Sequence, residues 1–432
     1  MNKVNEAKLI KFAKIAVVVC ILIILIEAVL FFYLKQKREA SIVYYDAYQM
    51  VVPDGEDYVA VGSSDFKYIE EHDFTDGVER GRLVKLDSNG KIVLDVLYDK
   101  GLSSNFSSVL VHDDAYYVTG SGVYDEYQQE NKIGDAFLIK YDKSGNKIWE
   151  KYYGVLSNTK FNKAILVDDG IIVIGQSIYE AMEVGNHTTG GGVIVKYDFD
   201  GNKIWNNNHG GNKSGNFNDI IQVGTDFYVV GKDATDSGNL IKFDKNGEYK
   251  WHQNYSYTDS LGLQDLIYLN DKIYVVGSKK ILEDEKAEDR TTENTDGVIL
   301  VFDKKGKQLK EITFGGSKLE RFTDIAYDDE FIYITGVSDS LDSSFEIVKQ
   351  SEENLSYGFI LKYDKDLKLV SSKVLGGENN DILTNMELIN NKFYISMYSN
   401  SKEGTIAKEN NGKDYFGKVI EINSNLDLTV IK

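Results

Sequence analysis

GDAFLIKYDKSGNKIW, Gly134 to Trp149, is the stretch that decides the architecture. Leu138-Ile139-Lys140-Tyr141 is β-prone and bounded by turn residues, so it reads as a strand. Asp142-Lys143-Ser144-Gly145 reads as a hairpin turn. An Asp at its start accepts backbone N–H groups further along the turn, and the Gly takes a left-handed position. A second strand follows and carries Trp149.

The pattern returns. Close copies are GGVIVKYDFDGNKIW (191–205), GNLIKFDKNGEYKW (238–251) and DGVILVFDKKGKQL (296–309). Weaker copies begin at Gly81, Gly358 and Gly417. The acidic or amide turn residue falls at Asp87, Asp142, Asp198, Asp244, Asp303, Asp364 and Asn423, with gaps of 55, 56, 46, 59, 61 and 59. Leu367 and Leu426 replace the turn Gly in the last two copies, where a different turn geometry is expected. Before each copy lies another hairpin, as in Phe161–Gly175, with matching segments beginning at Phe106, Phe217, Leu263 and Phe322. Looser versions lie at 45–62 and 383–397. Each unit is therefore four strands, A to D, and there are seven units. A period near 50 residues with β patterning predicts an all-β, seven-bladed β-propeller of four-stranded antiparallel blades over residues 42–432. Each blade holds four consecutive strands, so the ring is expected to close by face packing.

The run D-x-F-x-x-K-x-D-x-x-G-x-x-x-W, followed by Gly-Gly (Gly210-Gly211, Gly315-Gly316, Gly376-Gly377) and the next F-x-x-I hairpin, resembles bacterial seven-bladed propeller repeats of the SBBP type. It is more weakly similar to quinoprotein-like propellers. The resemblance implies the fold and a surface location. It implies no chemistry, because such repeats host many roles.

Residues 15–34, IAVVVCILIILIEAVLFFYL, are long enough as a helix to span a bilayer. They have no small-residue cleavage site, so they read as an uncleaved signal anchor. This gives a short cytoplasmic tail at 1–14, the anchor at 15–34, a linker at 35–41, and a propeller outside the cytoplasm. Lys3, Lys8, Lys11 and Lys14 before the span favour that orientation against Lys35, Lys37 and Arg38 after it. Glu27 lies within the span, where a charge is costly.

The formal net charge is −19, carried by the body, and such a chain repels phosphate backbones. Nucleic acid is therefore not an expected partner. The one cysteine, Cys20, lies in the apolar span, which leaves no disulfide or cysteine metal site in the body. The five histidines show no ligand spacing.

The connections between the second and third strands of each unit are long and irregular, except the short 232–237. Variable loops on a rigid ring are where binding usually resides. A protein or glycan ligand is thus expected on the long-loop face. Two residues after each Phe or Leu anchor of the first strand stand Ser108, Lys163, Asp219, Asp265, Asp324 and Asn385. If that strand is innermost, these residues ring the channel mouth. Asp219, Asp265, Asp324 and Asn385 are the candidate ligand-binding residues, and Asp219, Asp265 and Asp324 form a candidate Ca²⁺ site. The competing interpretation, which the residues favour, is that each Asp bonds a neighbouring backbone N–H. The turn aspartates are assigned to turns, because D-x-x-G lacks the further ligands of a calcium loop. No catalytic motif stands out and no cofactor besides Ca²⁺ is suggested. The leading expectation is a non-catalytic binding or scaffolding module. The alternatives are a glycan-active enzyme using channel carboxylates and an accessory subunit of a membrane complex.

Overall fold

The computed structural model describes residues 42–70, 73–98, 100–101, 103–123, 134–154, 159–177, 191–209, 215–233, 237–255, 258–281, 295–340, 356–377, 379–389, 392–399, 401 and 416–430. The expected transmembrane segment at 15–34, its flanks and most of the long connections lie outside these residues. Two compact units are separated: 1–44 with 66–78, and 45–65 with 79–432. In the first, the described residues are strand. The second is the propeller.

Its strands, numbered in chain order, form seven four-stranded sheets. They are β1–β4 within 42–97, β5–β8 within 103–153, β9–β12 within 160–209, β13–β16 within 216–255, β17–β20 within 258–314, β21–β24 within 320–375 and β25–β28 within 381–430. Pairing follows chain order within every sheet. The first strands, β1 (Ile42–Asp54), β5 (Ser103–His112), β9 (Lys160–Val167), β13 (Asn216–Val223), β17 (Thr258–Leu269), β21 (Glu320–Tyr327) and β25 (Asp381–Ile389), are innermost. From β5 to β25, each lies against the first strand of the next blade.

The core is seven apolar clusters, one at each blade-to-blade interface. Strand periodicity explains the division. In β6 (Ala115–Val123), Tyr116 and Val118 face the first blade, while Ala115 and Tyr117 face the third. A strand buried on both faces reads as a continuous apolar run, as its sequence does. The seventh cluster joins Tyr48, Val51 and Ala60 to Ile389, Tyr394 and Val419 and closes the ring. Closure is by face packing, as expected. Hydrogen bonds reinforce it: Thr384 Oγ1 donates to Tyr48 O at 2.7 Å, Val51 N to Asn385 Oδ1 at 3.3 Å, and Tyr58 and Tyr394 share a hydroxyl contact of 2.6 Å.

Every turn Asp behaves as a turn residue. Asp142 Oδ1 accepts from Ser144 N at 2.9 Å and Asn146 N at 2.8 Å, and Gly145 takes φ 82°. The expectation for Leu367 and Leu426 is corrected. They adopt φ 61° and 65° and make the same turn hydrogen bonds, to Asp364 O and Asn423 O. The cause lies in the preceding blade. Gly201, Gly247 and Gly306 each leave room for a tryptophan there, namely Trp149, Trp205 and Trp251. A Cβ on Gly247 would stand 2.4 Å from Trp205. Opposite Leu367 and Leu426 the tryptophan slot holds Lys310 and Ser371. The leucine fills the space itself. The expectation of a long, irregular connection between the second and third strands is corrected for the first unit, at 63–80: strands run through Glu70 and resume at Asp73, so most of it is strand. The glycine doublets also gain a role. The second glycine's N–H caps a buried carboxylate, Gly316 on Glu320 at 2.6 Å and Gly377 on Asp381 at 2.7 Å.

Candidate functional site

From β5 to β25 each innermost strand carries a β-bulge just after its anchor, and the bulge builds the channel mouth. Phe106 pairs with Gly120 and Ser108 with Thr119, so Ser107 has no opposite residue. The same shift follows Phe217, Leu263, Phe322 and Leu383. A bulge sets two successive residues against one and re-aims their side chains. Here the residues one and two places after the anchor both line the cavity at the channel mouth. Glycine faces the bulge in the second to sixth blades, where a Cβ on Gly231 would lie 1.9 Å from Asn216 O; in the seventh blade Met397 takes that place.

In several blades the first of the two positions ties the blade to the next blade's anchor carbonyl. Ser107 donates to Phe161 O at 2.5 Å, Asn162 to Phe217 O at 2.7 Å and Asn218 to Leu263 O at 2.7 Å. The second position accepts a backbone N–H of the next blade. Ser108 takes Ala164 N at 3.2 Å, Asp265 takes Ile325 N at 2.8 Å, Asp324 takes Met386 N at 3.1 Å, and Asn385 takes Val51 N at 3.3 Å. The favoured interpretation of the aspartates therefore holds for Asp265 and Asp324, and extends to Ser108 and Asn385. Asn385→Ala leaves the buried Val51 N–H without an acceptor. Urea denaturation is expected to show a loss of about 1–3 kcal/mol for this variant; a change below about 0.5 kcal/mol would deny the staple a structural role.

The structure brings Asp219, Asp265, Asp324 and Asn385 together with Lys163, and all five line both an outer cavity of about 340 Å³ and an inner one of about 290 Å³. Glu387 lines the inner cavity among Ile221, Ile267, Ala326 and Leu388. Sequence reasoning missed Glu387. The signal was available: it stands two places beyond Asn385, on the same face of the strand. Met50 and Gln49 were also missed, because the first unit's anchor is Tyr48 rather than an earlier tyrosine.

Charge is crowded here. Lys163 Nζ lies 3.7 Å from Asp219 Oδ1. Burial would lower the Lys163 ammonium, but Asp219, Glu387, Asp265 and Asp324 hold it well above the ordinary lysine value. Burial, then the neighbouring Asp265, drives the Asp219 carboxyl well above the carboxylate range. Burial and Asp324 push Asp265 up to about 7, and burial pushes Asp324 up to about 6 against the opposing pull of Asp265 and Lys163. Burial raises Glu387 as well, with Lys163 opposing. Burial and mutual repulsion thus favour the protonated forms of these carboxyls. Among the described residues, no three acidic, imidazole or thiol groups are placed to hold one metal ion. Away from the channel, His209 and His252, far apart in sequence, lie 5.0 Å apart on the outer strands of the third and fourth blades, with Tyr249 stacked on His209.

No family model and no curated protein matches the chain. Among solved structures it is similar to hydrazine synthase of Kuenenia stuttgartiensis, with 11% identity, TM-score 0.48 and coverage of 90% of this chain and 96% of that one. It is also similar to a prolyl endopeptidase, with 10% identity, TM-score 0.49 and coverage of 91% and 50%. A lignostilbene dioxygenase of Pseudomonas brassicacearum gives 8% identity, TM-score 0.41 and coverage of 75% and 78%. Likeness at this level concerns the fold alone, and the site stands on its own geometry.

Proposed function

We propose that the chain is a non-catalytic recognition or scaffolding module, an SBBP-type propeller held outside the cytoplasm by residues 15–34. One observation carries the reading. The channel-face polar residues of most blades are engaged in joining blade to blade, which makes a rigid ring, while the chain's long connections all emerge at the channel-mouth end. They leave after Val123, Ser177, Lys280, Ser338 and Ser399, the ends of the second strands. A rigid scaffold with variable loops at one face is the usual arrangement for binding.

The test is cross-linking of intact cells with a membrane-impermeant reagent, followed by identification of what co-purifies. A specific partner is expected, and it is expected to persist when residues 15–34 are exchanged for an unrelated anchor. Loss of the partner on exchange would instead make the chain a subunit of a membrane complex through its span. Absence of any cross-linked partner, or of any labelling of the propeller, would overturn the reading.

A further inference from the structure

Going round the channel, the residue two places after each anchor accepts the N–H three places after the anchor in the next blade. Three members of the ring are exempt. Met50 offers only a thioether sulfur, which takes the Ser108 hydroxyl. Lys163 has no acceptor to offer. Asp219 has one, but the expected donor, Leu266 N, is taken by Asp265 Oδ1 at 2.8 Å. Asp219 is only 6% exposed, and its Oδ1 has no hydrogen-bond donor at all. Its one cationic neighbour, Lys163 Nζ at 3.7 Å, is beyond hydrogen-bonding range. A buried carboxylate oxygen aimed into a cavity with no donor is costly unless a donor arrives.

We propose that Asp219, with Asp265 and Asp324 beside it, seats the ammonium group of a small alkyl amine that enters the channel from the long-loop face. This rests on the binding-module reading and names its small-molecule site. Size fits, since the outer cavity is about 340 Å³ and the inner about 290 Å³, at the small end of the ~300–1,000 Å³ typical of ligand pockets. Charge fits. The ionisable groups facing the cavity are Lys163 on β9, Asp219 on β13, Asp265 on β17, Asp324 on β21 and Glu387 on β25, while β1 and β5 present Met50 and Ser107. Four carboxyl groups face one ammonium, and a second ammonium offsets the excess. Its three N–H donors supply what Asp219 Oδ1 lacks. The inner cavity adds Ile221, Ile267 and Ala326, an apolar wall for methylene groups, with Glu387 as a second carboxylate. A calcium ion suits the site less well. It needs six to eight free oxygens, and both Asp265 oxygens already accept N–H groups.

The seated ammonium favours the ionised forms of carboxyls that burial holds up, so binding releases protons and tightens as pH rises. Calorimetry on the detergent-solubilised full chain tests this, with 1,4-diaminobutane as probe and 1,4-butanediol and CaCl₂ as comparison probes. The diamine is expected to bind about tenfold more tightly near pH 8 than near pH 6, and the diol to give no heat. Asp219→Asn, which removes no blade-to-blade staple, is expected to weaken the diamine about tenfold or more while the chain stays folded by circular dichroism. Any of three results overturns the proposal: no diamine heat at either pH, a diol or Ca²⁺ affinity equal to the diamine's, or an unaffected Asp219→Asn. A silent diamine titration alongside a cross-linked partner sinks this inference alone. Silence in both removes the binding-module reading too.

Discussion

Replacing Lys163 by methionine is expected to lower the stability of the propeller by about 3–5 kcal/mol near pH 7.5, and by much less near pH 5. Lys163 is the cation among Asp219, Asp265, Asp324 and Glu387, and its removal leaves those carboxyls enclosed without a counter-charge. The pH dependence follows from the direction of the shifts. Asp265 and Asp324 titrate at about 7 and about 6 in the folded chain, above their ordinary 3.8. A carboxyl raised on folding contributes stability that is complete below its ordinary pKa and is lost as pH rises through the folded value. The wild-type channel therefore loses stability as pH rises through about 4 to 7, and the methionine variant, with the lysine's opposing pull gone, loses more. Near pH 5 the carboxyls are largely protonated in both. Urea midpoints of the two proteins at the two pH values measure this. An equal deficit at both would mean that Lys163 contributes packing rather than charge.

That outcome bears on how the site was read. The polar ring was legible from spacing, because the anchor residue recurs; that its strand lies innermost was a condition the sequence left open. Its division of labour was not legible. Asp219, Asp265 and Asp324 are the same residue at the same place in adjacent units. Only coordinates show that Asp265 takes the donor meant for Asp219, so that one becomes a staple and the other is left without a donor. Glu387 escaped for a different reason. Alternation places it in the channel, but the equivalent positions in the other blades are apolar, such as Ile221 and Ile267, and a repeat-based reading averages such exceptions away. The stretch 63–80 was misread because its glycine and acidic residues carry loop composition, while the strands on either side extend through most of it.

The leucine-for-glycine exchange in the last two turns was misread for the most general reason. Local propensity assigns Leu367 a poor fit to φ 61°, and strain at such a position costs on the order of 1 kcal/mol. Its side chain is 7% exposed and lies in the cluster joining the fifth and sixth blades, beside Tyr274 and Ile312. Truncating a buried leucine costs about 2–5 kcal/mol, so packing outweighs backbone strain. Leu367→Gly is accordingly expected to destabilise by about 2–4 kcal/mol despite relieving the backbone. The compensating change is also specified. In earlier blades the turn glycine sits under a tryptophan of the preceding blade, and Lys310 occupies that slot here, its ammonium donating to Asp366 O at 2.5 Å. Adding Lys310→Trp to Leu367→Gly rebuilds the tryptophan–glycine pair seen between Trp251 and Gly306. The double variant is expected to recover about 1 kcal/mol or more of the loss, whereas Lys310→Trp alone meets the leucine and destabilises. A thermodynamic cycle from urea denaturation gives the coupling directly. Additive effects would mean that each turn is chosen by its own backbone. A favourable coupling would mean that large and small residues are exchanged as pairs across the blade interface, and that the unit of selection in this repeat is the contact between two blades.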